Sequence, residues 1–359
     1  MHTICNPDQL VARTAARVTM AIGVVLFAAS AHAQQSTLTE TGSTLLAPLF
    51  TTWSAAYTKL HPQVHITVGS TGSAAGIEQA IAGRVNIGAS DAYMSDSDSM
   101  KHPQVINVPL AIAAQTVNYN VPGLNDTHLR LDGPTLAGIY TGAIRQWDAP
   151  AIAALNPGVH LPHHDIVPVH RGDGSGDTFV FTQFLTFSTP SWESALGYDT
   201  TIAWPAVPGA VAVSGNLGVV NALKTTPYSI GYIGVSYAAD IDSAKLGTAA
   251  LKNGAGEFVL PTRDNITAGA ASLAVRTPPD ERLSLVFSPA SGTYPLVNYE
   301  YAVVSKQQPD AAVAAQIREF LTWTIVPSDE NATFLQSVHF IPLPPHTWEL
   351  SYQQIQSIK

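Results

Sequence analysis

The chain has 359 residues, of which 46% are hydrophobic and 12% are charged, and its formal net charge is −9. This length is ample for a hydrophobic core and suggests two domains. The acidic balance argues against a general nucleic-acid surface, so any anion must be bound by local donors and dipoles rather than by the field of the whole protein.

The N-terminal segment has the pattern of a secretory signal peptide. Two arginines precede the apolar run 18–29, and Ala31-His32-Ala33 forms a small-x-small cleavage site. We expect cleavage after Ala33, so residues 1–33 are excluded from the fold; the apolar run is short for a membrane span. The single cysteine, Cys5, is removed with them, which leaves no disulfide and no thiol nucleophile. An exported chain of this kind fits the bacterial periplasm.

Strand and helix patterns alternate through the first part of the mature chain, and each strand ends in small polar residues. The polar ends are Gly42-Ser43-Thr44, where Ser43 or Thr44 caps the following helix, then Gly69–Ser73, and Ser90-Asp91. Ligands of open α/β sheets bind at the carboxyl ends of strands, so these are candidate site positions. The predicted elements are a helix over 49–60, strands over 64–68 and 85–89, and a helix around Ile77 and Ile81.

The stretch 105–121 is the longest continuous apolar-rich extended segment, and we interpret it as a crossing from one domain into the next. Asp132-Gly133-Pro134 and Asp148-Ala149-Pro150 each pair a helix cap with a proline in the first turn. We predict a long loop over 188–216, and two amphipathic helices that close the chain. The further predicted elements are helices over 178–187, 218–223, 266–275, 310–325 and 329–338, strands over 166–169, 229–235 and 299–305, and an irregular or hairpin segment over 246–260.

The glycine-rich run from Arg171 to Thr178 lies between a predicted strand and a predicted helix. Its three glycines allow a tight turn and a close approach to a ligand, and the helix start offers unpaired N–H groups to an anion. Arg171 adds a fork of donors for an oxyanion, and Ser175 adds a hydroxyl. Two aspartates, Asp173 and Asp177, do not suit a site that only attracts negative charge. We expect one to brace Arg171 and the other to accept a proton from the ligand.

This run matches no nucleotide or hydrolase signature: it lacks the Gly-Lys-Ser/Thr ending of a P-loop, dinucleotide-fingerprint spacing and the frame of a nucleophile elbow. A surface turn with a helix cap is the simplest alternative. Four histidines nearby match no zinc-ligand spacing, so no metal site is predicted. They are His160, His163, His164 and His170.

Taken together, the polar turns supply hydroxyls, backbone N–H groups, one guanidinium and at least two carboxylates, with no lysine close in sequence. This set suits a small dehydrated oxyanion better than a nucleotide or a polymer. The chain resembles the periplasmic phosphate-binding protein of the phosphate-specific ABC importer over essentially the whole mature length. The motifs that carry the resemblance are Gly42–Leu49, Thr71–Ile77, Ile87–Ala92 with Ser95-Asp96, Leu131–Leu136, Arg171–Thr182, Ile230–Ile233 and Tyr299–Ala302.

The resemblance implies a periplasmic-binding-protein fold: two α/β domains joined by a hinge, with the ligand in the cleft between them. The implied division is a discontinuous domain I over 34–115 and 294–359, and domain II over 116–293. The implied ligand is inorganic phosphate, with no cofactor and no metal. The implied partners are the membrane-embedded permease subunits of an ABC transporter with a cytoplasmic ATPase; we expect a monomer with no nucleic-acid partner and no catalytic residues.

The resemblance also assigns roles to residues of this chain. Thr44 and Leu45 would give phosphate a hydroxyl and a backbone N–H, and Ser73 would give both from one residue. Asp91 would accept the phosphate proton. The remaining phosphate contacts would come from Arg171, braced by Asp173, from Ser175, and from the backbone N–H groups of Gly176 and Asp177, with Ser43 and Gly174 supporting them.

The sequence departs from the family pattern at a few positions. Leu45 stands where many relatives have phenylalanine, and Asp177 stands where some have threonine, so a second carboxylate would demand a protonated ligand more strictly. Two alternatives remain open from the residues. One is an exported phosphatase or serine hydrolase that uses Ser73 or Ser175, although no convincing base is found for either serine. The other is a phosphate-sensing or adhesion relative of the binding protein.

Overall fold

The computed structural model describes residues 36–359, so the predicted signal peptide, residues 1–33, lies outside the described part of the chain. The described part is a mixed α/β protein. Its strands are β1 (Ser36–Gly42), β2 (Val64–Val68), β3 (Ile87–Ser90), β4 (Val105–Asn120), β5 (Arg130–Leu131), β6 (Val167–Arg171), β7 (Val211–Val213), β8 (Ser229–Gly234), β9 (Gly247–Thr248), β10 (Ala250–Lys252), β11 (Phe258–Val259) and β12 (Val297–Ser305). Its helices are α1 (Ala47–Leu60), α2 (Ser73–Ile81), α3 (Asp96–Lys101), α4 (Gly133–Thr141), α5 (Pro150–Leu155), α6 (Gly176–Ser188), α7 (Pro190–Ala195), α8 (Gly215–Thr225), α9 (Ala238–Ser243), α10 (Arg263–Ala274), α11 (Ala311–Ile325), α12 (Asp329–Ser337) and α13 (Pro345–Gln356).

One hydrogen-bonded path of strands organises the molecule, in the order β2-β1-β3-β12-β4-β8-β6-β7, with β9 also paired to β4. The β2-β1-β3 and β8-β6-β7 groups are parallel, whereas β12 and β4 are antiparallel to their neighbours. A small second sheet has the order β11-β10-β5. Parallel strands need helical crossovers, which explains why helices separate most of them in sequence.

Strand β4 is the longest strand, with 16 residues, and it changes partner along its length. Residues 105–114 pair with β12, and residues 115–120 pair with β8. All but the last of its residues are buried, which requires the continuous apolar run that the sequence shows there. We call the group β1, β2, β3 and β12 the β12 side, and the group β6, β7, β8 and β9 the β8 side.

Aromatic side chains fill the core on each side of β4. On the β12 side, Phe50 and Trp53 of α1 pack edge to face at 5.6 Å between ring centroids. On the β8 side, Phe181 of α6 stacks on Tyr232 of β8 at 4.5 Å. These four side chains are almost completely buried. Large aromatic rings contribute most of the apolar area that stabilises such cores.

The structure confirms most of the predicted elements, including the strand at 105–120 and the Asp132 cap, where the Thr135 N–H donates to Asp132 Oδ1 at 3.0 Å. The capping prediction for Asp148 is wrong: α5 starts after Ala149 without a side-chain cap. Asp148 instead contacts the His163 imidazole at 2.9 Å. The expected cap of α1 by Ser43 or Thr44 is also wrong: the N-cap residue is Leu46, which has no side-chain cap, and Ser43 Oγ accepts the Leu46 N–H at 3.0 Å in the turn before the helix.

Two other predictions are corrected. The predicted loop 188–216 contains helix α7, which begins at a proline, and strand β7, which pairs with β6. Two closing helices were predicted, but a third helix, α13, follows them. It begins at Pro344-Pro345, and because prolines usually indicate a loop, the pattern there does not predict a helix. The short helices α3 and α9 were not predicted, because six residues give too little periodicity.

Gly76 lets helix α2 lie directly on the ends of β1 and β3. A Cβ at this position would lie 2.5 Å from the Ala89 carbonyl oxygen and 2.9 Å from Gly42 Cα. We therefore expect Gly76→Ala to lower the free energy of unfolding by about 1–3 kcal/mol, as overpacking against backbone does. Urea unfolding measures the change.

The matched control is Glu78→Ala on the same helix, whose side chain is 74% exposed. It should change the unfolding free energy by no more than about 0.5 kcal/mol. An unchanged urea midpoint for Gly76→Ala would contradict the close packing of α2 on the sheet.

Candidate anion-binding site

The carboxyl ends of β1, β3 and β6 meet where the chain passes from strand to helix. Ser43 follows β1, Asp91 follows β3, and Arg171 ends β6. The first two come from the β12 side and the third comes from the β8 side. The structure thus brings together the polar turns that the sequence singled out.

On the β12 side, Asp91 is held by two serines. Ser43 Oγ donates a hydrogen bond to Asp91 Oδ1, and Ser73 Oγ lies 3.3 Å from Asp91 Oδ2. The Asp91 N–H also donates to Ser73 Oγ, at 3.2 Å. The carboxylate therefore has a fixed orientation, and Ser73, the first residue of α2, is tied to the end of β3.

On the β8 side, Arg171 is buried and held by two aspartates. Its Nε and Nη2 donate to Asp173 at 2.6 and 2.5 Å, and its Nη1 donates to Asp177 Oδ2 at 2.7 Å. The arginine side chain is only 1% exposed. The bidentate contact with Asp173 is the strong, directional form of this pair and fixes the plane of the guanidinium.

Asn216 at the start of α8 connects the two sides. Its Nδ2 donates to Thr44 Oγ1 and to Asp177 Oδ2, both at 2.8 Å, and its Oδ1 accepts the Gly234 N–H at 2.7 Å. The amide is thereby oriented by β8, and it positions both a hydroxyl and a carboxylate.

The remaining predicted residues complete the contact between the sides. Ser175 caps α6 by accepting the Thr178 N–H at 3.3 Å, and the Gly174 carbonyl accepts the Ala74 N–H at 3.1 Å. A Cβ at Gly176 would lie 2.5 Å from both Asp91 Oδ2 and Ser73 Oγ, so only glycine fits there. Leu45 is fully buried, and its carbonyl accepts the Ser236 hydroxyl at 2.8 Å.

Burial and mutual repulsion change the acidity of the site carboxyls. Burial, followed by repulsion from Asp91, raises the pKa of Asp177 to about 7 although Arg171 opposes the shift. Burial also raises the pKa of Asp91. Burial acts in the same direction on Asp173, but the hydrogen bonds and charge of Arg171 outweigh it and lower the pKa of Asp173. One oxygen of Asp177, Oδ1, is buried and receives no hydrogen bond. The site therefore has spare capacity to accept a proton.

The site is closed off from solvent. Thr44, at 6%, is the most exposed of Thr44, Ser73, Asp91, Arg171, Ser175 and Asp177. An open cleft of about 690 Å³ lies beside it and is lined by residues of both sides, including Tyr93, Phe179 and Arg282. The site groups themselves are therefore shielded from solvent in this conformation.

Sequence reasoning missed Asn216, and it also missed Glu300 on β12, which lies beside Asp91. Each left a signal. Ser214-Gly215-Asn216 repeats the pattern of small polar residues between a strand and a helix. Glu300 is a carboxylate inside a strand whose burial its apolar neighbours indicate, and such residues are rarely buried without a partner.

The histidines near the site have other surroundings. His164 stacks on Tyr228 at 3.6 Å and His170 stacks on Trp204 at 4.8 Å. Among residues 36–359 no cluster of three or more histidine, cysteine or acidic side chains is arranged to hold a metal ion. Within the same residues no helix has the length and apolar character needed to cross a membrane.

Comparison with known proteins gives consistent matches. A family model described as a PBP superfamily domain matches residues 28–330. The chain is 33% identical over 305 residues to the phosphate-binding protein PstS of Xylella fastidiosa, which covers 85% of this chain and 81% of that protein. It is 31% identical over 339 residues to the phosphate-binding protein PstS of Methanocaldococcus jannaschii, covering 89% and 85%.

Solved structures share the fold. A phosphate-binding protein from Stenotrophomonas maltophilia matches with a TM-score of 0.66 and 21% identity, over 89% of this chain and 93% of that one. An ABC-type phosphate transport receptor from Vibrio cholerae matches with a TM-score of 0.57 and 20% identity, over 86% and 100%. These similarities confirm the predicted α/β fold of the periplasmic-binding-protein type.

The raised pKa of Asp177 makes stability depend on pH. A carboxyl with a higher pKa in the folded chain than its unfolded value of about 3.9 favours folding most below that value, and this contribution is lost as the pH rises toward about 7. We expect the unfolding free energy of the ligand-free protein to fall over this range. Asp177→Asn removes this titrating carboxyl. The slope of the unfolding free energy against pH should therefore become shallower by up to about one proton, which corresponds to roughly 1.4 kcal/mol per pH unit.

Urea unfolding at half-unit pH steps from 4 to 8 measures this slope. The control is Asp242→Asn, because Asp242 is exposed, and its slope should match the unsubstituted protein. If Asp177→Asn leaves the slope as it was, the carboxyl does not titrate in this range and the account of its acidity is wrong.

Proposed function

The chain belongs to the phosphate-binding proteins of the PBP superfamily, the substrate-binding subunits of phosphate ABC importers, and we propose that it captures inorganic phosphate in the periplasm and delivers it to the permease. The observation that carries the proposal is the burial of one guanidinium, Arg171, together with the carboxyls of Asp91 and Asp177, of which Asp177 Oδ1 receives no hydrogen bond. Only an anion that also carries protons satisfies both kinds of group. The ligand is phosphate itself, and the proposal requires no cofactor.

In this proposal the ligand is held by dipoles and one cation rather than by a strongly basic pocket. Thr44, Ser73 and Ser175 supply hydroxyls, and the N-terminus of α6 presents its backbone N–H groups. Leu45, Ser73, Gly176 and Asp177 supply backbone N–H groups, and Arg171 supplies the charged hydrogen bonds. The ion pair between Arg171 and Asp173 supports the bracing role given to Asp173.

Selection against sulfate would follow from the carboxyls. A carboxylate that faces a tetrahedral oxyanion repels it unless a proton lies between the two oxygens. Hydrogenphosphate and dihydrogenphosphate carry such protons, whereas sulfate carries none at neutral pH. A desolvated and unpaired charge discriminates between ligands by orders of magnitude. Asp177 would make this demand stricter, and arsenate, with the same shape and protonation, would not be rejected.

Domain closure is the second part of the proposal. We assign residues 34–115 and 294–359 to domain I and residues 116–293 to domain II. The change of partner of β4 at residue 115 supports the first boundary. Three side chains of the β8 side hold the turn after β1: Asn216, Ser236 and Tyr237, whose hydroxyl donates to the Thr44 carbonyl at 2.8 Å. These bonds would form when the cleft closes on phosphate and would present the closed form to the permease.

The enzyme alternative lacks support from the site. A phosphatase or serine hydrolase needs a base beside its nucleophile. Ser175 Oγ instead accepts a backbone N–H, and the carboxylate beside Ser73, Asp91, is already held by the Ser43 hydroxyl. The relatives compared above are named as binding proteins. The other alternative is a relative with an altered ligand or role, such as a sensing or adhesion protein, and displacement of phosphate by other oxyanions would reveal an altered ligand.

Calorimetric titration tests phosphate capture directly. Protein freed of phosphate by reversible unfolding should bind phosphate tightly, and a large excess of sulfate should not reduce the binding. In Asp91→Asn the repulsion of sulfate is weakened, so the phosphate-over-sulfate ratio should fall by on the order of 10²-fold. The exposed-site variant Asp242→Asn should behave like the unsubstituted protein.

Two results would reject the proposal. One is the absence of phosphate binding by folded, stripped protein. The other is release of phosphate from an aryl phosphate by that protein, which would favour the enzyme alternative.

Small-angle X-ray scattering tests closure. Adding phosphate to the stripped protein should reduce the radius of gyration, and adding sulfate should not. Tyr237→Phe removes the bond to the Thr44 carbonyl, and it should speed phosphate release by several fold because a hydrogen bond contributes about 1 kcal/mol. Identical scattering curves with and without bound phosphate would show that binding occurs without closure.

A further inference from the structure

Glu300 is a fully buried acidic residue in the middle of β12, between two buried tyrosines. A buried charge is costly unless it is paired or neutralised, so the residue must be explained by its contacts. β12 pairs with β3 so that Tyr301 lies opposite Ser90, the residue before Asp91. This register makes Glu300 a neighbour of Asp91 on the adjacent strand.

Continuing this register places Glu300 across from Asp91, so the two carboxyls are within reach of a shared hydrogen bond. On its other side, Glu300 Oε1 accepts the Asn298 Nδ2 amide at 2.7 Å. Glu300 Oε2 is buried and receives no hydrogen bond from any donor group. Since two ionised carboxylates have no hydrogen to share, a hydrogen bond between them requires a proton on one of the two residues.

The surrounding donors decide which residue holds that proton. Asp91 receives hydroxyl hydrogen bonds from Ser43 and Ser73 and lies in the field of the Arg171 guanidinium. Glu300 receives only the Asn298 amide. Donors and a nearby cation stabilise the ionised form, so Asp91 is the better anion and Glu300 is the better acid.

We propose that Glu300 is a positioning residue that stays protonated and donates its hydrogen bond to Asp91 from the adjacent strand, so that Asp91 remains an acceptor towards the ligand. The proposal rests on the proposed function, in which Asp91 accepts a phosphate proton. Glu300 acts through Asp91 and has no contact with phosphate. Without it, Asp91 would take a proton of its own at a higher pH, and the repulsion that rejects sulfate would disappear.

The charges around the pair agree with this arrangement. Burial, and next the negative charge of Asp91, raise the pKa of Glu300 well above its ordinary value. Burial raises the pKa of Asp91, but the hydrogen bond from Glu300 lowers it. Across the site, Asp177 acts on both carboxyls and Arg171 acts on Asp91. Strand β4 places Ala111 opposite Glu300 and adds no titratable group there.

Two substitutions separate the donor from the charge. In Glu300→Gln the amide can keep both contacts, because its oxygen can accept from Asn298 and its NH₂ group can donate to Asp91. In Glu300→Leu the donor is lost, although the volume is similar.

We measure phosphate affinity and sulfate competition by calorimetry from pH 5.5 to 8.5. Glu300→Gln should keep the phosphate-over-sulfate ratio within about threefold, whereas Glu300→Leu should lower it at least about tenfold at pH 6 and recover it towards pH 8.5, since one pKa unit corresponds to tenfold.

Three results would be distinguishable. A folded Glu300→Leu protein that binds phosphate and rejects sulfate at every pH would overturn the role of Glu300. Equal losses in the Leu and Gln variants would also overturn it, because the Gln variant retains the donor. Failure of the unsubstituted protein to bind phosphate would instead reject the proposed function.

Infrared difference spectroscopy tests the location of the proton without any ligand and without the Leu variant. The spectrum of the unsubstituted protein minus that of Glu300→Gln should contain the C=O band of one protonated carboxylic acid at pH 8. A carboxylate band in its place would show that Glu300 is ionised and would overturn the proposal.

Discussion

The structure depends on the burial of a single guanidinium among several carboxyl groups. Arg171 is almost fully buried, and its charge is met by Asp173 and Asp177, with Asp91 close by. A buried ion pair stabilises a fold only when its remaining hydrogen-bonding groups are satisfied. Here the carboxyls around Arg171 are themselves held by other donors: Ser43 and Ser73 donate to Asp91, and Asn216 of α8 donates to Asp177. The excess of carboxyls over cations also means that part of this negative charge must be neutralised by protons.

This arrangement divides the carboxyls by environment. Asp173 is only partly buried and has a bidentate bond to Arg171, and its pKa is lowered. Burial raises the pKa of both Asp177 and Asp91, and repulsion from Asp91 raises the pKa of Asp177 further. Residues of the same type are thus driven in opposite directions: the carboxyl of Asp173 is favoured as an anion that anchors Arg171, whereas those of Asp91 and Asp177 bind a proton more readily than an ordinary carboxyl. Their surroundings create the difference, not their chemistry.

The sequence predicted the order of strands, turns and helices, because glycines and small polar residues mark strand ends whatever the tertiary structure. For the same reason it identified the polar turns that lie next to one another in the structure. Sequence reasoning from the residues alone predicted that one of Asp173 and Asp177 braces Arg171, and only the resemblance assigned that role to Asp173; both aspartates contact the guanidinium. It did not predict Asn216 or Glu300, whose roles depend on β8 and on the register of β12 against β3. Contacts between residues that are distant in the chain leave no periodic signal. The short helices α3, α7 and α9 were missed because they make fewer than two turns. The assignment of phosphate contacts and the division into domains remain predictions.

Strand β4 determines how the protein can unfold. Its first part is paired with β12 and its second part with β8, and both parts are buried. Neither side therefore has a complete sheet of its own, because each side includes one part of β4. If either side unfolded, part of β4 would lose its backbone hydrogen-bond partners. The apolar residues of that part would become exposed, although the rest of the strand belongs to the other side. The two sides should then fold and unfold as one cooperative unit, and neither should persist as an autonomous fragment.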